Sequence, residues 1–294
     1  MAKTDTENMS TGSRVRQARI VPVAKSNSPM RSLLLHRYER CQGHIRRRLK
    51  TAFFLLLLPF CFQPSAFAAC AFNAAGALGE AALGNITLGA PASPATNDVW
   101  VAAIFSKDNV AHTFTDWTEL VNVDGSGASA HFSVWYFRYA GSTPNLIVTH
   151  SSGGPIVGGI AALRGCDTVG SPVDATGLGA TNASANDTTI EHTTITPTTS
   201  NTLVLMLNGQ GNDTTRTPES GYTAAFNPGS GNSYVTTLGS DSSVAIHYKA
   251  HVSGATGTLT DTHGGAATEF WVSVLVAIEQ AAVSRRPVAP VIFQ

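Results

Sequence analysis

Two short apolar runs constrain this chain more than any other feature of it. Residues 97–105 read NDVWVAAIF and residues 201–207 read NTLVLML. Each is opened by an Asn, and each follows a segment of Pro, Ala, Ser and Thr: PASPAT and TPTTS. In an extended strand Val99, Val101, Ala103 and Phe105 share one face, and Trp100, Ala102 and Ile104 share the other. A strand apolar on both faces belongs deep in a sheet that is covered on both sides. Residues 203–207 and 274–278 have the same character. By contrast Val244, Ile246 and Tyr248 alternate with Ala245, His247 and Lys249, as in a sheet with one wet face.

The surroundings of the two runs correspond as well. Trp117-Thr118 answers to Tyr222-Thr223, and Ser133-Val134 to Ser243-Val244. Thr149-His150 answers to Thr262-His263, and Ala162-Leu163 to Ala277-Ile278. The spacing grows from 104 to 115 residues, so loops lengthen while the order is kept. The remaining apolar runs are short and separated by turn-rich strings such as KDN, DGSG, SSGG and NPGSG. That is the pattern of an all-β sandwich, jelly roll or barrel. Residues 74–82 are the nearest approach to a helix, and Gly76 and Gly79 argue against it. The expected fold is an all-β, two-sheet β-sandwich or jelly roll of two pseudo-repeated halves, about 82–167 and 189–281. Residues 165–179 would be the crossover.

The formal charge of zero hides a split. Residues 1–68 hold twelve Lys/Arg and three acids, which leaves the remainder with seven basic and sixteen acidic side chains, a formal −9. An acidic body without a basic run is repelled by phosphate, so nucleic acid is not an expected partner. The basic front reads as a leader. Residues 46–50 are a positive region, 51–62 (TAFFLLLLPFCF) an apolar core and 63–68 a small-residue exit, with Ala66 and Ala68 giving the A-x-A pattern. A signal peptide over 46–68 with cleavage between Ala68 and Ala69 is expected. The apolar stretch is shorter than the ~20 residues a membrane span needs, so no transmembrane anchor is expected. Residues 1–45 read as a basic disordered extension or a start assigned too early, and 282–294 as an extended tail. Export by the general route, by the twin-arginine route or as a lipoprotein acylated at Cys70 all remain open. The product would be secreted or periplasmic, or an outer-membrane lipoprotein in the last case. Two cysteines survive cleavage, and in an oxidising compartment Cys70 and Cys166 are candidates for one disulfide.

Chemistry-bearing motifs are sparse. There is no GxSxG, no HExxH and no Gly-rich phosphate loop. His247 and His251 lie four apart on one strand face, but no third ligand is placed for a metal. Asp116, Glu119, Asp174, Glu191 and Glu269 offer carboxylates without a pattern that selects a pair. No cofactor is expected beyond structural calcium, for which Asp108-Asn109 and the loop at Asp124 are oxygen-rich candidates. Aromatic side chains give the one binding cue. Over 131–139, Trp135, Phe137 and Tyr139 share a face, and Trp135 and Tyr139 would stack on sugar rings if that face were wet. The competing reading, favoured here, places the rings in the core.

Several of these strings together resemble a family. The Asn-opened strand at 97–105, Trp117-Thr118, the aromatic strand at 132–141, IAALRGCD at 160–167 and SPVDA at 171–175 are its first half. NTLVLML at 201–207, SGYT at 220–223 and FWVSVLVAIE at 270–279 are its second. The order is similar to an uncharacterised β-sandwich, jelly-roll-like domain family of secreted bacterial and phage tail-associated proteins. The resemblance spans about 82–281 and implies a sandwich used on surfaces or tails, with no catalytic residues to transfer. The expected function is a non-catalytic exported binding or structural module, adhesin-like or tail-like, with a glycan or cell-surface polymer as partner. The alternatives are a polysaccharide-degrading enzyme on a jelly roll and a purely structural protein-interaction domain.

Overall fold

The computed structural model describes residues 69–125, 130–151, 154–182, 187–226, 232–238, 242–267 and 270–282. The expected extension, leader and most of the tail lie outside the described residues.

The described chain is strand and loop throughout. Its first half runs through β1 (Ala71–Ala75), β2 (Gly79–Ala81), β3 (Ile86–Thr87), β4 (Val99–Ser106), β5 (Thr113–Phe114), β6 (Thr118–Asp124), β7 (His131–Arg138), β8 (Ile147–Thr149) and β9 (Ile156–Arg164). The second continues with β10 (Val173–Asn182), β11 (Asp187–His192), β12 (Thr202–Gln210), β13 (Arg216–Thr217), β14 (Thr223–Ala224), β15 (Tyr234–Val235), β16 (Ser243–His251), β17 (Leu259–Ala267) and β18 (Trp271–Ile278).

Two six-stranded antiparallel sheets dominate. One has the order β1-β9-β4-β7-β6 with β2 also on β9, and the other β10-β18-β12-β16-β14 with β15 also on β16. Two three-stranded sheets, β3-β8-β5 and β11-β17-β13, complete the fold. Matching β1 to β10, β3 to β11, β4 to β12, β5 to β13, β6 to β14, β7 to β16, β8 to β17 and β9 to β18 superimposes both orders. The result is an all-β fold with two similar antiparallel sheets in a loosely sandwich-like arrangement.

The two Asn-opened apolar runs form β4 and β12, each the middle strand of its sheet path and each buried along its whole length. The Asn before each has a structural reason. Asn97 has φ 73° and Asn201 φ 61°, the left-handed region that Asn tolerates better than most side chains.

Their two faces serve different layers. Val99, Val101, Ala103 and Phe105 pack with Leu203, Leu205, Leu207 and the β18 side chains Val272, Val274 and Val276 in one core between the large sheets. On the outer side Trp100, Ala102 and Ile104 pack with Ile86, Phe114 and Val148 of the first small sheet. Val204 and Met206 pack with Leu259 of the second. Burying each large apolar side chain contributes about 1.5–3 kcal/mol, so both faces of β4 and β12 hold layers together.

The halves also touch through equivalent positions. Phe105 lies on Gly209, where an added Cβ would sit 2.4 Å from the ring. The Lys107 ammonium donates to the Gly211 carbonyl oxygen at 3.0 Å. By strand register Phe105 matches Gly209, and Lys107 and Gly211 follow in step. Such self-matching contacts are what residues near a twofold axis make.

Several expectations shift. The halves begin earlier than 82 and 189, because β1 and β10 are each the first strand of a large sheet. The expected crossover at 165–179 therefore runs into a sheet strand. The β7–β16 alignment also moves by two residues: His131 faces Ser106 as Ser243 faces Gln210, so His131 answers to Ser243 and Trp135 to His247. Finally, the face of β16 expected to be wet is covered at His247, which is fully buried.

Candidate functional site

Buried polar side chains collect in each half around its small sheet. In the first half the centre is His112, just before β5. Its Nδ1 lies 2.8 Å from the Ser133 hydroxyl and its Nε2 3.0 Å from the Ser106 hydroxyl. Ser106 donates its own proton to Asp108 Oδ1 at 3.1 Å, so it accepts from His112 Nε2, and Nδ1 accepts from Ser133. This satisfies a neutral ring. Burial first, then the rings of His131 and His150, hold the His112 pKa well below the ordinary value, against a smaller opposing pull from Asp108. The ring centroids lie 4.8 Å and 5.5 Å from those of His131 and His150. His131 in turn reaches Asp124 Oδ1 at 2.8 Å and the Asn122 side-chain oxygen. His150 reaches Asp108 Oδ1 at 3.0 Å.

Three histidines thus form a buried row with Asp108 at one end and Asp124 at the other. The structure brings the two candidate calcium aspartates to one assembly, but as partners of histidines. Asp108 Oδ1 already accepts from Ser106, Val110 N–H and His150. Among the described residues no group of three or more His, Cys, Asp or Glu side chains is placed to hold a metal ion.

The second half carries a different cluster at the matching place. Thr113 pairs with Thr149 as Thr217 pairs with Thr262, so His112 answers to Arg216 and His150 to His263. Arg216 is buried, and burial pushes its pKa down to about 10 although Asp261 opposes this. Its Nε donates to the Asn208 side-chain oxygen at 3.1 Å, and one terminal nitrogen donates to Ser243 Oγ at 2.7 Å. The Asn208 amide donates onward to Asp261. Asp261 also meets His247 Nδ1 at 2.9 Å and His192 Nε2 at 3.4 Å. Burial alone would raise the Asp261 pKa, but the hydrogen bonds of His192 and His247 outweigh it and hold the carboxyl well below the usual range. His247 therefore works inside this network, whereas His251 bonds the nearby Gly254 carbonyl oxygen at 2.9 Å. They are not a ligand pair.

The other anticipated residues fall as follows. Trp135 is 7% exposed, against Phe114. Tyr139 is half-buried and stacks on Trp100, with centroids 5.2 Å apart. Cys70 and Cys166 are joined by a disulfide that closes the first half between β1 and the end of β9. Ala69 is exposed, and Ala68 lies outside the described residues.

A cleft of about 670 Å³ is lined by Asp167, Val169, Thr199, Ser200, Asn201, Glu279, Gln280, Ala281 and Ala282. It lies beside the N-terminal end of β12 and the C-terminal end of β18. No sequence motif marks it. The signal available was the repeat itself: with Leu163 matching Ile278, Arg164 answers to Glu279, a reversal of charge at one strand end. Compared with family models, with curated proteins and with solved structures, the chain matches none.

Proposed function

We propose that the protein is an exported, non-catalytic β-sandwich that serves outside the cytoplasm as a structural or binding module with a glycan-type partner. The observation that carries this reading is the aromatic group on the outer face of the first large sheet. Trp100 meets Trp117, Phe137 and Tyr139 at centroid distances of 6.4, 6.1 and 5.2 Å. The series ends in half-buried Phe137 and Tyr139, and half-buried rings on a rigid sheet are what sugar faces stack on. The Cys70–Cys166 disulfide supports export, since such bonds persist in oxidising compartments. A Cys70 engaged in that way does not carry a lipid, which favours a secreted or periplasmic form over a lipoprotein.

Each half also reads as jelly-roll-like. The first strand lies beside the last in the large sheet, and the strands next inward pair across the small one. Within this reading Trp135 is core and Tyr139 is the contact. A glycan array probed with residues 69–294, with and without calcium, tests it. Retention that disappears in Tyr139→Ala while the melting temperature holds is the expected result. An array with no retained glycan in either condition ends the glycan reading.

A further inference from the structure

The cleft beside Glu279 is best understood from its counterpart in the first half. There Asp98 and Arg164 form a two-pronged pair. The Arg164 Nε and one terminal nitrogen donate to the two Asp98 carboxylate oxygens at 2.9 and 2.8 Å, and that terminal nitrogen also donates to the Ser93 carbonyl oxygen at 3.0 Å. A guanidinium therefore closes that end of the first large sheet.

In the second half the register places Thr202 at the Asp98 position and Glu279 at the Arg164 position. The guanidinium is gone, and the cleft is found at that end. What remains is acidic. Glu279 and Asp167 line the cleft, and Asp174 stands behind Thr199, whose N–H and hydroxyl it accepts at 3.0 and 3.1 Å. Burial, then Asp174 and Asp167, raise the Glu279 pKa above the ordinary carboxylate value. Burial is the larger part of this, and the two neighbouring carboxylates add to it. The Thr202 hydroxyl is buried with no hydrogen-bond partner among the described residues, at the position from which Asp98 reaches its guanidinium. The nearby cation, Arg138, is directed at the backbone: its two terminal nitrogens donate to the carbonyl oxygens of Asp167 and Gly170.

We infer that this cleft is a binding site for a guanidinium group, held by Glu279 and Asp167 where the first half holds its own Arg164. The inference is independent of the glycan reading, which concerns the other sheet. Two sources supply that chemistry: an arginine-like ligand from outside, or Arg285 and Arg286 of the chain itself, three and four residues beyond Ala282.

The test uses the exported protein and agmatine, a small guanidinium compound, followed by calorimetric titration and by thermal shift, with butylamine as the ammonium control. Three variants accompany the wild type: Glu279→Gln, Glu279→Arg and the double change Arg285→Gln/Arg286→Gln. For an external ligand, agmatine binds the wild type saturably and better than butylamine does. For the chain's own arginines, it binds only the double variant, whose melting temperature is also lowered. In either case Glu279→Gln, introduced into whichever protein binds, weakens binding at least tenfold. Glu279→Arg, which puts a guanidinium at the position matching Arg164, abolishes binding while the protein stays folded. Asp167→Asn gives a second reading should Glu279→Gln fold poorly, with the same tenfold loss expected. Absence of agmatine binding in both the wild type and the double variant overturns the inference. So does binding that neither acid substitution weakens.

Discussion

His112 shows how much a single side chain can tie stability to pH. It is buried between Ser106 and Ser133, with His131, His150 and Asp108 around it, and its pKa is lowered. A histidine with a depressed folded pKa is fully stabilising above its unfolded value of about 6.5 and loses that contribution as pH falls toward the folded value. Acidification below about pH 6.5 should then lower stability by up to about 1.4 kcal/mol per pH unit for this one group. Urea unfolding followed between pH 7.5 and 4.5 measures the slope, and His112→Gln should flatten it. Asp261 acts in a lower window. Its depressed pKa gives stability that is present above about pH 4 and lost only as pH falls further, so the two groups separate along the pH axis. Neither role was legible in the sequence. The His112 ring depends on Ser133, twenty-one positions away, and Asp261 on partners from β11, β12 and β16. Residue type alone says that a buried histidine needs partners, not which ones.

At the scale of elements, the long strands were more legible than the shortest ones. β4, β12 and β18 announce themselves because both faces are apolar and a turn bounds each end. β5 and β13 are two residues each, too short for any periodicity to register. Strands near 189–195 and 257–262 can be read from the sequence, but not their pairing into a sheet that covers β16, and so its His247 face looked wet. The layer that covers it presents Asp261, a polar side chain that satisfies His247 instead of excluding it. The same limit hid the cleft. The apolar run of β18 reads cleanly to Ile278, but the meaning of Glu279 emerges only when its strand is laid against β9. Close packing between sheets gives a sharp prediction at this scale. Gly159 in β9 lies under the stacked rings of Phe226 and Tyr234, and an added Cβ would sit 2.5 Å from Tyr234. A side chain there must push those rings away, so Gly159→Ala should cost about 1–3 kcal/mol. Guanidinium denaturation of the variant checks it. A change within 0.5 kcal/mol would mean that the sheets can separate locally at no cost.

For the whole molecule the halves are alike in strand order but unlike in reinforcement. The disulfide joins residues 96 apart and encloses nearly all of the first half. In the second half the repeat places Ala281 opposite Cys166, and no cysteine follows Cys166 in the chain. Closing a loop of that size stabilises by roughly 2–5 kcal/mol in the chain-entropy account. Reduction, or Cys166→Ala, should therefore lower the melting temperature markedly. Hydrogen exchange should show the loss first in β1 and β9, the strands flanking the bond. Uniform loss of protection across both large sheets would show instead that the halves unfold as one cooperative block.

The seat of Phe105 on Gly209 has a consequence beyond packing. Were the two halves separate polypeptides, their association would weaken with dilution, and each would have to complement an identical copy of itself. Carried on one chain, the pair assembles at a rate and with a stability that do not depend on protein concentration. One side of a matched position is then free to be a phenyl ring while the other is reduced to bare backbone. That asymmetry could not arise in a pair of identical subunits, where the ring would have met its own copy.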